Sequence, residues 1–453
     1  QYYIPGTSLA GALRQWMQSG DEDEARALWG FQDNEDGLAS LFTVEDGVVE
    51  GESIPEVRDG VGIDPATGAA TRRIKYTTTV LPRGTRVRFS CSLAVDHDGD
   101  TSRAEDALKM LIGALRHGSI RLGAQRTRGM GKVVLEDERL RCATLDTRQG
   151  MIDHLRGHDS DVRLDDLEPV LTGRNRRIDI TVQWHATEPV MVKSGAGSIA
   201  IDSLPLVSGI DDSNMALTLP GSSLKGVLRS RAALIVSTAV GGTPNAQGSA
   251  AEALVRQLFG TSRADVDKDA KNGGMGMLAI DDCYAETTLK RSAWAKVGSA
   301  LDEADVRTAL SGSPLEGKLP TVTHVAIDRW TGGASDKKLF NQMEPRDLSW
   351  EPMCLTLDLS RLEDVPPTQK AMVALLLLTL RDLASGRVPL GFGTNRGMGS
   401  VAVDRVTITP SGVDWMQDMA TLDKGDIKTL PCDLLSQLDE AWQTAIDGHQ
   451  GGE

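Results

Sequence analysis

Paired cysteines are missing from this sequence. The five present, Cys91, Cys142, Cys283, Cys354 and Cys432, lie far apart, with no CxxC and no adjacent histidine pair. That argues against a structural zinc site and a disulfide scaffold and fits a reducing compartment. Of the seven histidines, His185, alternating with Gln183 along one segment, reads as a satisfied or solvent-facing side chain. Long apolar runs are missing too. The longest, "AMVALLLLTL" from Ala371 to Leu380, is too short to span a bilayer and reads as a buried helix. Nothing reads as a secretory signal, so the expectation is a cytoplasmic protein with no membrane partner. An excess of positive charge is absent as well: the net charge is −15, which disfavours phosphate binding by the chain as a whole. Its placement is uneven. Acids cluster in "DEDEAR", "DHDGD" and "DSDVRLDDLE", and basic residues concentrate beside glycine in "RLGAQRTRGMGK" and "LTGRNRRID". Local charge therefore decides more than the total.

What the sequence has is a repeat. Its 453 residues, 40% hydrophobic and 25% charged, allow two to four globular units. "IPGTSLAGALR" (Ile4 to Arg14) returns as "LPGSSLKGVLR" (Leu219 to Arg229), and "LWG" (Leu28 to Gly30) as "LFG" (Leu258 to Gly260). "GLASLFTVED", ending at Asp46, matches "GGMGMLAIDD", ending at Asp282; "VGIDPATGAA" from Val61 matches "VAIDRWTGGA" from Val325. "LGAQRTRGMGKVVL" from Leu122 matches "LGFGTNRGMGSVAV" from Leu390. The offset grows in order, from 215 (Pro5 to Pro220) to 268 (Gly129 to Gly397). Colinear anchors of this kind mark a tandem duplication with insertions in the second copy.

Both copies share one order of elements: the Pro-Gly turn, an amphipathic helix, a strand, a long excursion around "ID…TG", an alternating strand, a buried helix, the Gly/Arg loop and a final strand. In the second copy "RIDITVQWHA" (Arg177 to Ala186) supplies a strand before the first helix, completing a βαββαβ pattern. Only four residues precede Pro5 in the first copy; either the numbering starts inside a longer chain, the favoured expectation, or another chain supplies the strand. The boundaries that follow are 1–145 for the first domain, 146–176 for a linker, 177–410 for the second domain and 411–453 for a helical tail. That tail carries an amphipathic helix around Leu434 to Ile446, free to dock on the second domain or on a neighbouring molecule.

The motifs "LPGSSLKGVLRSR", "PLGFGTNRGMGSV" and "AIDRWTGGA" resemble signatures of the RAMP superfamily, and more narrowly the backbone subunits of type III CRISPR effector complexes. The fused pair resembles the double-backbone subunits of type III-D-like complexes. The resemblance implies an α+β fold of two tandem modified ferredoxin-like (RRM-like) RAMP domains with β-hairpin thumbs. It also implies a place on guide crRNA beside other RAMP subunits and a large subunit, with complementary target RNA as substrate. Active relatives cut target RNA with an aspartate in the loop after the first strand. The matching segment, "SGAGSIAIDSLPLV" (Ser194 to Val207), puts Asp202 there, and the resemblance implies a divalent metal, Mg2+, held by Asp202. The thumb in relatives displaces a base pair; its counterparts here are Gly60 to Thr85 and His324 to Arg346.

The residues support parts of this independently. Ser222 and Ser223 can donate hydroxyls to a phosphate at a helix N-terminus, with Lys225 and Arg229 adding charge; the plainer reading is an N-cap. Thr7, Ser8 and Arg14 are the first-copy counterparts, with Ala10 in place of Lys225. Thr394, Asn395 and Arg396 in one Gly/Arg loop, and Arg126 and Arg128 in the other, can wrap RNA phosphates; the plainer reading is a turn with solvated arginines. Because the order is helix, loop, strand, these loops are not dinucleotide fingerprints. Asp202 in a flexible-looking loop can take a proton from a ribose 2′-hydroxyl or hold the metal; a lone Asp can equally be a turn residue. Ile63 and Ile327 can wedge between bases, with Asp64 and Asp328 bracing the turns before Thr67 and Thr331. Target-RNA cleavage is the leading reading. A non-catalytic guide-RNA scaffold and a stand-alone pre-crRNA processing endoribonuclease are the alternatives.

Overall fold

The structure, a computed structural model, describes residues 2–18, 21–33, 36–51, 54–64, 69–95, 101–162, 176–195, 197–241, 250–261, 274–360, 362 and 366–447. The elements that position the site are, in chain order, α1 (Gly6–Gln18), β1 (Phe42–Val44), β2 (Glu56–Ile63), β3 (Ala70–Val80), β4 (Cys91–Leu93), α2 (Thr101–Arg116), β5 (Arg128–Gly129), β6 (Arg177–Ala186), α3 (Gly221–Ala239), β7 (Leu278–Asp281), β8 (Thr321–Ile327), β9 (Ala334–Met343), β10 (Met353–Asp358), α4 (Pro366–Ala384), β11 (Val401–Ser411), β12 (Ala420–Asp423) and α5 (Cys432–Asp447).

Packing divides the chain along a different line from the repeat boundary near residue 145. Unit 1 comprises Gln1–Val49, Val87–Arg126 and Met130–Arg176; unit 2 comprises Glu50–Arg86, Thr127–Gly129 and Arg177–Glu453. The first repeat's hairpin, β2–β3, therefore clusters with unit 2, as does its Arg128–Gly129 segment.

Unit 2 is built on a six-stranded sheet in the order β5-β7-β10-β6-β11-β12, with every neighbour antiparallel except the parallel β5–β7 pair. The pattern of β6 explains its central place. Ile178, Ile180, Val182 and Trp184 alternate onto one buried face, as a strand's two-residue period requires. In β11 the alternation slips at Asp404, and there the register with β6 shifts between Gln183 and Trp184, a β-bulge. The bulge brings the Asp404 carboxylate 3.0 Å from Nδ1 of the exposed His185. Leu224, Leu228, Ala232 and Val236 give α3 a buried stripe at helical spacing. α4 is apolar nearly all round, with Leu375, Leu376, Leu377, Leu380 and Leu383 all buried, so it lies within the core. The tail helix α5 contributes Leu438, Trp442 and Ile446 to that core, and Lys370 reaches its Gln437 at 2.8 Å. The tail thus docks on unit 2.

Unit 1 has a smaller core around Leu13, Met17, Leu28, Trp29, Phe42, Leu111 and Ile120, with Trp29 stacked on Phe42 at 4.5 Å. β1 pairs with β4. The expected final strand over "KVVLED" does not form; only Lys132 makes an isolated bridge, to Arg121, and the Leu135 N–H turns to the Leu115 carbonyl. In unit 2 the matching strand β11 is held along its length by β6, and no counterpart of β6 is present among the described residues of unit 1. The expected linker begins with structure: a helix over Arg148–Leu155, capped by Thr147, and a strand Ser160–Val162 paired with Leu140–Cys142. No helix among the described residues is long and apolar enough to cross a membrane.

Candidate functional site

The Pro-Gly turns are closed by their own chain. In unit 1 the Gly6 N–H at the start of α1 donates to Asp46 Oδ1 at 2.7 Å. In unit 2 the Gly221 N–H at the start of α3 donates to Asp282 Oδ1 at 2.8 Å. Two repeat anchors far apart in sequence are therefore one structural device, a carboxylate on a helix N-terminus. This corrects the expectation of a phosphate cradle, since a carboxylate already occupies the place a phosphate would take. The N-cap is Pro220, without a side-chain hydrogen bond, so neither Ser222 nor Ser223 caps; both are half-buried. Lys225 is only 5% exposed, and its ammonium donates to the Leu278 carbonyl at 2.6 Å. That buried tie between α3 and β7 takes Lys225 out of any RNA-facing role. Arg229, half-buried, donates to the Gly260 carbonyl at 2.5 Å. Thr7 and Ser8 are exposed on α1 and Arg14 is half-buried.

Asp282 has a second duty. Its Oδ2 accepts from the buried Arg58 on β2, whose guanidinium also donates to Ser208 Oγ at 2.9 Å. Glu56 accepts from Ser208 Oγ and the Gly209 N–H, both at 2.6 Å. The base of hairpin β2–β3 is thus anchored in unit 2 by buried charge. Gly129 of β5 lies against the same cap: a Cβ there would overlap Asp282 Oδ1, and its φ of 93° suits glycine alone.

Asp202 lies on a loop that folds back on itself. Lys193 and Pro205 form a bridge, Ser194 N–H donates to Leu204 O, and Ile201 N–H donates to Ser198 Oγ. Ile201 and Leu204 are buried as plugs. The flexibility expected from the Gly/Ser composition is therefore not what holds Asp202. The loop also runs along the free edge of β9: Ser203 N–H donates to Asn341 O, Met343 N–H to Ser203 O, and Asn341 N–H to Asp202 Oδ2 at 2.9 Å. The Asp202 side chain is exposed, and its Oδ1 makes no hydrogen bond among the described residues.

Around this edge gathers a cationic and aromatic cluster. Thr394–Arg396 form one 3-10 turn bracketed by Gly393 and Gly397, both left-handed with φ of 72° and 82°; this is why the loop needs glycine at those places. The exposed Arg396 guanidinium lies 4.9 Å from the Phe392 ring and 5.5 Å from Phe340 on β9. Lys193 lies 5.9 Å from Phe392 on the same loop system. Phe340 stacks on His324 of β8 at 5.4 Å, and His324 Nε2 is 3.0 Å from the buried Glu344. Burial opposes the Glu344 charge, but donors on Gln342, Arg346 and His324 outweigh it and hold this carboxyl below the usual range. Among the described residues no group of three or more His, Cys, Asp or Glu side chains is placed to hold a metal. A single carboxylate oxygen, Asp202 Oδ1, suits only an ion shared with substrate phosphate and water, which is how magnesium is commonly held.

The two hairpins are β2–β3 and β8–β9. Asp328 braces its turn as expected, accepting from the Trp330 and Thr331 N–H groups at 2.8 and 2.9 Å and from Thr331 Oγ1 at 3.2 Å; these donors hold its carboxyl below the usual range. Asp64 N–H donates to Ala69 O, while Thr67 lies outside the described residues. Ile63 and Ile327 are exposed near the ends of their strands, and Trp330, in the turn after β8, is 96% exposed. Arg128 is exposed on the edge strand β5; Arg126, in unit 1, donates to Gln15 at 2.8 Å.

The structure thus brings Asp202 together with Lys193 and Arg396, and places Ser222, Lys225 and Arg229 in the separate constellation built on Asp282. Sequence reasoning missed Phe340, Phe392, His324, Glu344 and Trp330. A tryptophan in the polar turn "DRWTGG" was the readable signal; the others needed the strand register. A comparison with curated proteins returned no match. The family model of the RAMP superfamily matches residues 1–134 and 186–402, spanning both repeats and every element of the Asp202 cluster, and on that match the chain belongs to the RAMP superfamily.

Proposed function

We propose that this chain, by family a CRISPR-associated RNA-binding protein, is a backbone subunit of a type III effector complex that cuts target RNA at Asp202. Its strand order, with β6 between β10 and β11 and β7 outside β10, supports a ferredoxin-like reading of the second repeat. The hairpins β2–β3 and β8–β9 are read as the thumbs, with Trp330 beside Ile327 as the wedge. Guide crRNA, target RNA, neighbouring RAMP subunits and a large subunit are the proposed partners, and the cytoplasm the proposed compartment.

The observation that carries this reading is the placement of Asp202. An exposed carboxylate is pinned by the base of a thumb hairpin, beside Lys193 and an Arg396 seated among aromatic rings. Cations hold the RNA phosphates, rings stack on bases, and the carboxylate meets a 2′-hydroxyl. Removal of that proton starts attack of the 2′-oxygen on phosphorus, leaving a cyclic phosphate and a 5′-hydroxyl. Asp202 would hold the magnesium ion that the resemblance implies, and that ion would supply charge stabilisation at the phosphate. The non-catalytic scaffold reading draws on one fact: Asp202 Oδ2 already serves as a backbone acceptor for Asn341.

Assembly with guide RNA and mapping of target cuts separates the two. Asp202→Ala should remove one cut while target binding persists; survival of every cut at its original rate selects the scaffold.

A further inference from the structure

We infer that His324 is the general acid of this site, positioned by Glu344; the inference rests on the cleavage reading above and names the second proton-transfer group that such a reaction uses.

Cleavage by a 2′-hydroxyl needs a proton taken from the nucleophile and another delivered to the departing 5′-oxygen, and one carboxylate cannot be in both places. One face of β8 and β9 carries His324, Phe340 and Gln342, because residues two apart along a strand share a face and His324 is opposite Phe340; Glu344, just past the end of β9, bonds to His324 and Gln342. Glu344, buried and ionised, receives donors from three sides: His324 Nε2 at 3.0 Å, Gln342 Nε2 at 2.7 Å and Arg346 at 3.1 Å. The ring is thereby held by its Nε2–H, the arrangement by which a carboxylate fixes an imidazole's orientation. Phe340 stacks on the ring at 5.4 Å. Nδ1 makes no hydrogen bond among the described residues, and the side chain retains 31% exposure. The backbone of Asn341, next to the ring's cross-strand partner Phe340, is the group that holds Asp202. The Asp202 carboxylate and the His324 imidazole thus meet β9 at neighbouring residues, Asn341 and Phe340, and the Arg396 guanidinium lies 5.5 Å from the Phe340 ring.

The balanced step follows. Asp202 takes the 2′-hydroxyl proton, the 2′-oxygen bonds to phosphorus, the P–O5′ bond breaks, and His324 gives its Nδ1 proton to O5′. Water then takes the proton from Asp202 and returns one to the imidazole. Glu344 touches no reacting atom and is a positioning residue.

The test is single-turnover cleavage by the assembled guide complex, with ordinary target RNA and with the same RNA carrying sulfur in place of the 5′-bridging oxygen at the cut. A thiolate leaves without a proton, so loss of an acid is specifically rescued. His324→Gln, whose amide can still donate to Glu344, should slow ordinary RNA about 100-fold, the usual weight of a proton-transfer group, and cut the thio substrate within a few-fold of the unchanged protein. Glu344→Gln should lose less and be rescued in the same way. Equal slowing of both substrates by His324→Gln, or no slowing of either, overturns the inference, while Asp202→Asn in parallel reports on the cleavage reading itself. An unchanged complex that binds target and never cuts it overturns both.

Discussion

The two copies of the Pro-Gly turn perform the same act in different surroundings. Asp46 caps α1 at an exposed site. Asp282 caps α3 in the interior, where it also balances Arg58. The duplicated anchors therefore share a helix-capping role, and the second copy has acquired a buried ion pair that fixes the base of the hairpin β2–β3. A motif can be repeated for folding reasons while one copy alone carries extra weight.

Mutation should expose that difference first. Asp282→Ala leaves Arg58 as an uncompensated buried charge and opens the Gly221 N–H, so unit 2 should lose about 3–5 kcal/mol in denaturant unfolding. Asp46→Ala should cost about 1 kcal/mol, the usual loss of a cap. Equal losses would break the comparison.

Acid should act on unit 2 through Asp382, which is buried with Arg231 at 2.6 Å and Arg381 at 3.1 Å. Burial opposes its charge, yet the two arginines outweigh that and lower its pKa. A lowered folded-state pKa contributes stability above the unfolded value of about 3.9, lost as pH falls toward the folded one. The unfolding midpoint should therefore decline below about pH 5, and Asp382→Asn should flatten that decline while lowering stability at neutral pH.

A smaller effect separates exposed from buried cations. Arg396→Ala should weaken guide binding and reduce the slope of its salt dependence by about 1, whereas Lys225→Met should leave the slope unchanged. A reduced slope for Lys225→Met would restore it as a phosphate contact. Trp330→Ala, at the tip of β8–β9, should move stability by less than about 0.5 kcal/mol and be read in target engagement instead; unaltered engagement would remove it as the wedge.

Much of this was legible in the sequence. Periodicity marked β6, α4 and α5, and ordered anchors marked the duplication, because burial on one face writes a regular pattern. The hairpins were visible from their turn chemistry at Asp64 and Asp328. What escaped depends on pairing between distant segments. The Gly221–Asp282 cap spans an excursion of the chain, Arg58 reaches Asp282 from the other repeat, and His324 meets Glu344 only through the register of β8 and β9. Lys225 looked like a surface cation because charge alone does not reveal that its ammonium ends on a buried carbonyl. The failure of "KVVLED" to form a strand has the same origin, since a strand's stability lies in its partner.

The most direct test of the central claim is target affinity and single-turnover cleavage measured on the same guide-loaded preparations of the unchanged protein and Asp202→Asn. Matching target affinity with one cut reduced at least about 100-fold is the expected result. Cleavage at that position undiminished by Asp202→Asn would contradict it.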